Sequence, residues 1–329
     1  RRSNAYGKKL GLMSVLGLVG LASYVSHSQI PPPLVQQGVI AHQRLYRNVL
    51  RSFPKRASSV VARGWAGKIE RSPHEIDVTS SGEIAKFHPG TEIALRLGNK
   101  GIRSLPPSIF ESAETVASMS LDSNTISELQ QDVFKGLDNL KDLTLSGNIL
   151  STINPGAFNG LTNLQSLTLA KNPIKQLPVG VFDGLVNLTS LTIHSVPLET
   201  IEPEVFTPLS NLKVLHMYNT EIKSLSSEFF KQMPNLRVLS IHMAKVTDFP
   251  SDFLEAFPNL EELSIDGESL PLGSNPKLFT SQTRLKHVYL FGKTNEEIFK
   301  QVRSALADAN NCKVIVADNP NMGPGYRFT

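Results

Sequence analysis

Apolar residues recur along this chain on a fixed 24-residue beat. Runs opening at Val116, Leu140, Leu164, Leu188, Leu212, Leu236 and Leu260 follow one another without an insertion. Each fits L-x-x-L-x-L, with Val, Ile or Met as substitutes, then a turn and a further aliphatic residue. The third run shows the order: Leu164, Leu167, Leu169, Asn172, Ile174, Leu177, Phe182 and Leu185. Two Leu placed two apart share one face of a short strand. The pairs Leu143 and Leu145, Leu167 and Leu169, and Leu191 and Ile193 therefore predict one strand per run. A single run has too little surface to bury that face alone, whereas stacked copies form a parallel sheet over one continuous core.

A second apolar row keeps the same spacing: Phe110, Phe134, Phe158, Phe182, Phe206, Phe230 and then Leu254. It predicts a packed spine behind the strands. Asn124, Asn148 and Asn172 occupy the turn after the strand, where a buried amide bonds to backbone groups that the turn leaves unpaired. Their successors are Val196, Thr220, Ala244 and Glu268, so the later turns are expected to be less regular. An exposed solenoid end is raw core and open strand edge, and both ends need caps. Residues 92–110 read as a degenerate first repeat, and residues 75–87 as a hairpin turning at 80–82. Leu285, Val288 and Leu290 begin a last repeat. Helical spacing follows over residues 295–310, and residues 313–317 (KVIVA) read as a closing strand. About nine parallel strands are expected.

This pattern resembles the typical, 24-residue class of leucine-rich repeat proteins over residues 75–320. The resemblance implies an α/β-type repeat solenoid, a horseshoe with short parallel strands on its concave face. It also implies a protein partner bound on that face. One departure stands out. Extracellular members close their ends with disulfide-bonded cysteines, and here Cys312 is the only cysteine. It is read as a small buried residue.

Charge divides the chain. Residues 1–69 hold eleven Lys/Arg and no acid, while residues 70–329 hold 22 basic against 29 acidic residues, for +4 in all. Different partners are expected for the two parts. Residues 10–25 (LGLMSVLGLVGLASYV) are uncharged and follow Lys8 and Lys9. They predict a single transmembrane helix, against an uncleaved secretory signal or a buried or interfacial helix. A basic, acid-free leader before a short apolar segment suits mitochondrial import and favours the mitochondrial inner membrane over the secretory pathway or cell surface. After Ile30 and its three prolines, a helical pattern resumes and carries Arg44, Arg47 and Arg51, with Lys55 and Arg56 beyond Pro54. These five read as a strip for anionic lipid or an acidic partner, or as a solvated face. Nucleic acid is disfavoured, since Tyr46, Phe53 and Trp65 are the only aromatic residues there for stacking. The organisation expected is a leader and membrane helix (1–29), a basic linker (30–74), an N-terminal β cap (75–91), repeats (92–291) and a helix–strand cap (292–329).

Outward strand positions are the ones free to read a partner. In the first half they are small: Ser120, Thr144, Thr168 and Thr192. The second half gathers His194, His216, Tyr218, His242, Asp266, Tyr289 and Phe291, expected to be a protein-contact patch, with Asp266 at the edge of the group His194, His216, Tyr218 and His242. Parallel strands are expected to hold the histidines upright and splayed, with no short His-x-His spacing to arrange a metal. No metal or cofactor is expected. Gly292, Lys293 and Thr294 mimic the end of a phosphate loop, but His287 sits where its first Gly is required. Ser240 near His216 has no evident third catalytic member. The favoured reading is a non-catalytic, membrane-tethered scaffold or accessory subunit in a multi-subunit assembly. Its rivals are a secreted or cell-surface recognition receptor, and an enzyme regulator or hydrolase using the histidine patch. The sequon at Asn187 separates the first two, because a glycan there requires the secretory pathway.

Overall fold

The computed structural model describes residues 75–88 and 94–316, apart from 243–244, 247–248, 276, 293–295 and 307–311. The chain divides into two units, residues 1–72 and 73–329, and everything described belongs to the second. The expected membrane helix at 10–25 and the basic strip of Arg44, Arg47, Arg51, Lys55 and Arg56 lie outside the described residues. Among the described residues no helix is long and apolar enough to cross a membrane.

Strands β1 (Glu75–Val78) and β2 (Ile84–His88) pair antiparallel as a hairpin. One strand per repeat then follows: β3 (Ala94–Arg96), β4 (Ser118–Ser120), β6 (Asp142–Thr144), β8 (Ser166–Thr168), β9 (Ser190–Thr192), β10 (Val214–His216) and β11 (Val238–Ser240). They continue into β12 (Glu262–Asp266), β13 (His287–Phe291) and β14 (Lys313–Val316). These ten lie side by side in chain order in one parallel sheet. That is one more strand than the repeats alone predict, because the closing strand joins in register. On another side of the repeats, β5 (Glu128–Leu129) and β7 (Thr152–Ile153) form a small parallel ladder.

The 24-residue beat is the sheet register itself. Leu143 pairs with Leu167, Leu167 with Leu191, and Leu191 with Leu215, and all four are fully buried. Between β12 and β13 the spacing grows by one residue, and pairing lengthens to five residues, from Glu262 opposite His287 to Asp266 opposite Phe291.

Behind the sheet the Phe rings form the expected spine. Neighbours from Phe110 to Phe182 stack with centroids 6.0–6.4 Å apart and planes within 20°. The stack breaks after Phe182. Phe206 tilts 59° from it and meets Phe229 edge-on at 5.1 Å. The backbone changes there too. In the earlier repeats the descending side turns through left-handed residues at matching positions, Ser108, Asp132, Gly156 and Gly180. The next position in register, Glu204, lies instead within the 3-10 helix Pro203–Leu209, started by Pro203. The repeat after it has the short helix α1 (Ser227–Lys231), capped by the Ser226 hydroxyl accepting from the Phe229 amide at 3.3 Å. A second helix, α2 (Glu296–Ala305), packs near β14 at the C-terminal end, with Val302 buried.

The Asn ladder is built as its spacing predicts. Asn148 donates to the Leu121 and Leu145 carbonyls at 3.0 and 2.9 Å and accepts from the Ile126 amide at 3.1 Å. Asn172 repeats the set one turn on, with Leu145, Leu169 and Leu150. Thr220 occupies the same position, buried, with its hydroxyl unpartnered. Two stability outcomes follow, each measured by chemical denaturation. Phe158→Ala loses about 3–5 kcal/mol, as other buried Phe truncations do. Asn148→Ala costs about 1–3 kcal/mol by stranding backbone groups, whereas Thr220→Ala removes an unpaired hydroxyl and costs less.

Candidate interaction face

The outward face of the sheet has two halves of different chemistry. In the first half, Asp122 is a hydrogen-bond hub. Its carboxylate accepts from the Ser120 hydroxyl at 2.9 Å, the Thr144 hydroxyl at 2.6 Å and the Ser146 amide at 2.8 Å. These hydroxyls brace neighbouring repeats against each other.

The second half is organised by rings. His194 stacks on Tyr218 at 4.4 Å and 5°, and Tyr218 on His242 at 4.6 Å and 9°. His242 then meets Phe291 at 3.7 Å and 8°. The expectation of splayed side chains is thus corrected. Strand spacing of ~4.8 Å is close to ring-stacking distance, so planar side chains in one register row lie face to face. Asp266, expected at the edge of the group His194, His216, Tyr218 and His242, takes the register position after His242, and the His242 and Phe291 rings meet across that position.

Burial grades along the row. His194 and Tyr218 keep partial exposure, while His242 is 0% and Phe291 1% exposed. Tyr289 packs beside Phe291 and Ile315 at 8% exposure. His242 is enclosed with both ring nitrogens unpartnered. Burial holds it at pKa about 3, helped by the nearby His216 and His194. Burial also lowers His194 to about 4, with Lys171 and His216 adding to it, and His216 to about 4. The Tyr218 phenol is raised by the same desolvation.

His216 faces Ser240 with Nδ1 and Oγ 3.0 Å apart. Ser240 is wholly buried, and the contact joins two neighbouring strands. Among the described residues no group of three or more His, Cys, Asp or Glu is placed to hold a metal. Cys312 is half-buried, and desolvation pushes its thiol up to about 11.

A second Asn row escaped the sequence reading. Asn139, Asn163, Asn187, Asn211 and Asn235 each donate to a carbonyl of the preceding repeat, at 2.8–2.9 Å, from Glu114 to Ser210. The signal was present as an Asn before the first Leu of each run from Leu140 on, 24 residues apart.

Comparison with known proteins agrees with this architecture. The leucine rich repeat family model matches residues 94–148, 114–174, 138–198, 162–222 and 186–242. No curated protein matches the chain. Among solved structures, a leucine-rich repeat protein of Leptospira interrogans is similar at 23% identity and TM-score 0.53, over 68% of this chain and 53% of that one. The Toll–Spätzle complex of Drosophila includes a similar chain at 22% identity and TM-score 0.50, over 68% of this chain and 34% of that one. This chain therefore spans about half the length of the first and a third of the second.

The three desolvated histidines set a pH dependence. Their folded pKa values lie below the unfolded value of ~6.5, so below that pH the unfolded chain binds more protons than the folded one. Their contribution to stability falls as pH drops from about 6.5 and levels only below about 3. In thermal melts across this range, His242→Phe shows a smaller loss of Tm than the parent chain. Equal slopes would remove His242 from the account.

Proposed function

The chain is a leucine-rich repeat protein, and on that footing we propose that it is a non-catalytic scaffold whose partner protein seats on the second half of the sheet's outward face. The ring row carries this reading. The core lies behind the sheet, so nothing in the repeat demands four stacked rings on its other side. In the first half the same register holds Asp122, Ser146 and Ala170, none of them a ring. Aromatic anchors with partial exposure are the common currency of protein interfaces, and His194 and Tyr218 are the accessible end of this row. The enclosed members, His242 and Phe291, fix the orientation of the exposed ones.

We further propose that the acid-free leader holds the chain to a membrane, favouring the mitochondrial inner membrane, as an accessory subunit of an assembly. The +11 charge of residues 1–69 and the apolar run at 10–25 support this placement. Asn187 supplies the counter-test, since it is exposed on the second Asn row. Endoglycosidase treatment leaves the mobility of the native protein unchanged if the placement is right. A glycan released from Asn187 overturns it in favour of a secreted or cell-surface receptor.

The binding face is tested by purifying the tagged full chain from native membranes and titrating the partner that co-migrates. Tyr218→Ala weakens association by ~2 kcal/mol or more, about thirtyfold in Kd, while Thr168→Ala changes it little. Unchanged affinity for Tyr218→Ala, together with loss of the partner on deleting residues 1–69, assigns binding to the leader instead.

A further inference from the structure

At the entry to the strands, the second Asn row meets a run of cations. Asn211, Lys213, Asn235, Arg237 and Asn259 line an open cleft of about 230 Å³. Lys213 makes no ion pair among the described residues. Arg237 lies 3.5 Å from Glu261, which also pairs with Lys286. The hydrogen bond from Lys286, with the charges of Lys286, Arg237 and Arg284, holds the Glu261 carboxyl below its usual range. The rim thus sets three cations, Lys286, Arg237 and Arg284, against one carboxylate and leaves Lys213 unpaired among the described residues. The next acid, Glu262, faces His287 on the strand face at 3.4 Å. Positive charge is concentrated here although residues 70–329 carry more acid than base.

The Asn side chains add a second property. Asn211 and Asn235 use their amide nitrogens to bond the Val186 and Ser210 carbonyls at 2.9 Å. That fixes each amide and leaves its Oδ1 without a donor among the described residues. The cleft therefore offers cations and hydrogen-bond acceptors in alternation, one set per repeat at ~4.8 Å strand spacing. A compact phosphate presents mainly acceptors and at most one or two P–OH groups, too few to use an acceptor in every repeat. An extended peptide has both what the cations take, carboxylates, and what the Asn oxygens take, backbone N–H groups. We propose that this rim, from Asn211 to Lys286, is a docking site for an extended acidic segment of a partner protein. The site lies apart from the ring row and stands independently of it.

Fluorescence anisotropy of the full chain with a labelled peptide of alternating Glu and Ser tests the site. The double variant Lys213→Ala, Arg237→Ala weakens binding about tenfold or more. A control double variant, Lys135→Ala with Lys231→Ala, removes the same charge from exposed cations paired elsewhere, with Glu111 and Glu228, and changes binding less than about twofold. The charge-conserving pair Lys213→Arg, Arg237→Lys retains most of the affinity. Equal losses in the two Ala doubles overturn the proposal, because binding then follows net charge and the basic leader. Displacement by inorganic phosphate at peptide-like concentrations reduces the site to a plain anion site and also overturns it. A dimer seen by sedimentation in the parent chain and lost in the rim double makes the occupant a second copy, again against the proposal. Tyr218→Ala leaves peptide binding unchanged, so this reading and the ring-row reading fail separately.

Discussion

Leu167 and Leu169 are buried because Leu143 and Leu145 lie on one side of them and Leu191 and Ile193 on the other. No repeat of this chain covers its own apolar side chains, so each depends on the next being in register. A shift of one residue in any strand pairing turns core Leu toward the outward face and outward polar residues toward the core. The 24-residue spacing is therefore a mechanical requirement of the stack as well as a pattern. The Phe spine and both Asn rows follow from it, since each needs an equivalent neighbour one strand away.

Polar groups carry the same constraint in another form. Each turn leaves backbone groups that reach neither neighbour, and Asn124, Asn148 and Asn172 satisfy them from inside while the second Asn row ties successive repeats from outside. Where the inner ladder ends, the architecture changes character. Thr220 stands with an idle hydroxyl, the descending turns become short helices, and the Phe rings leave parallel stacking for edge contacts. The ring row appears on the outward face over the same repeats. Loss of regularity on one side of the solenoid thus coincides with accumulation of chemistry on the other. The rim of Lys213 and Arg237 lies in this half too.

Two surfaces of this half suit different demands. The ring row is apolar, largely enclosed and oriented by stacking, which suits a contact made by shape and desolvation. The rim is exposed and charged, which suits capture and register more than raw affinity. A scaffold that holds a partner by both has its two contacts on one rigid sheet, with no hinge between them to lose precision.

Much of this was legible in the sequence. Strand positions, the Phe spine, the inner Asn ladder, the hairpin and the closing strand all follow from local spacing, because strand period and repeat length dictate which residues face the core. The residues of the outward patch were legible for the same reason, as His194, Tyr218 and His242 share one register position. Their arrangement was not. Whether upright rings splay or stack depends on strand spacing and on what encloses them, and only the assembled sheet brings His242 against Phe291 across the position of Asp266. Burial of that histidine, and the low pKa values of all three, likewise arise from neighbours distant in sequence. The rim is the clearest case. Lys213, Arg237, Arg284 and Lys286 are scattered along the sequence, and only stacking the repeats at strand spacing brings Arg237, Arg284 and Lys286 to one carboxylate and Lys213 to the cleft beside Arg237.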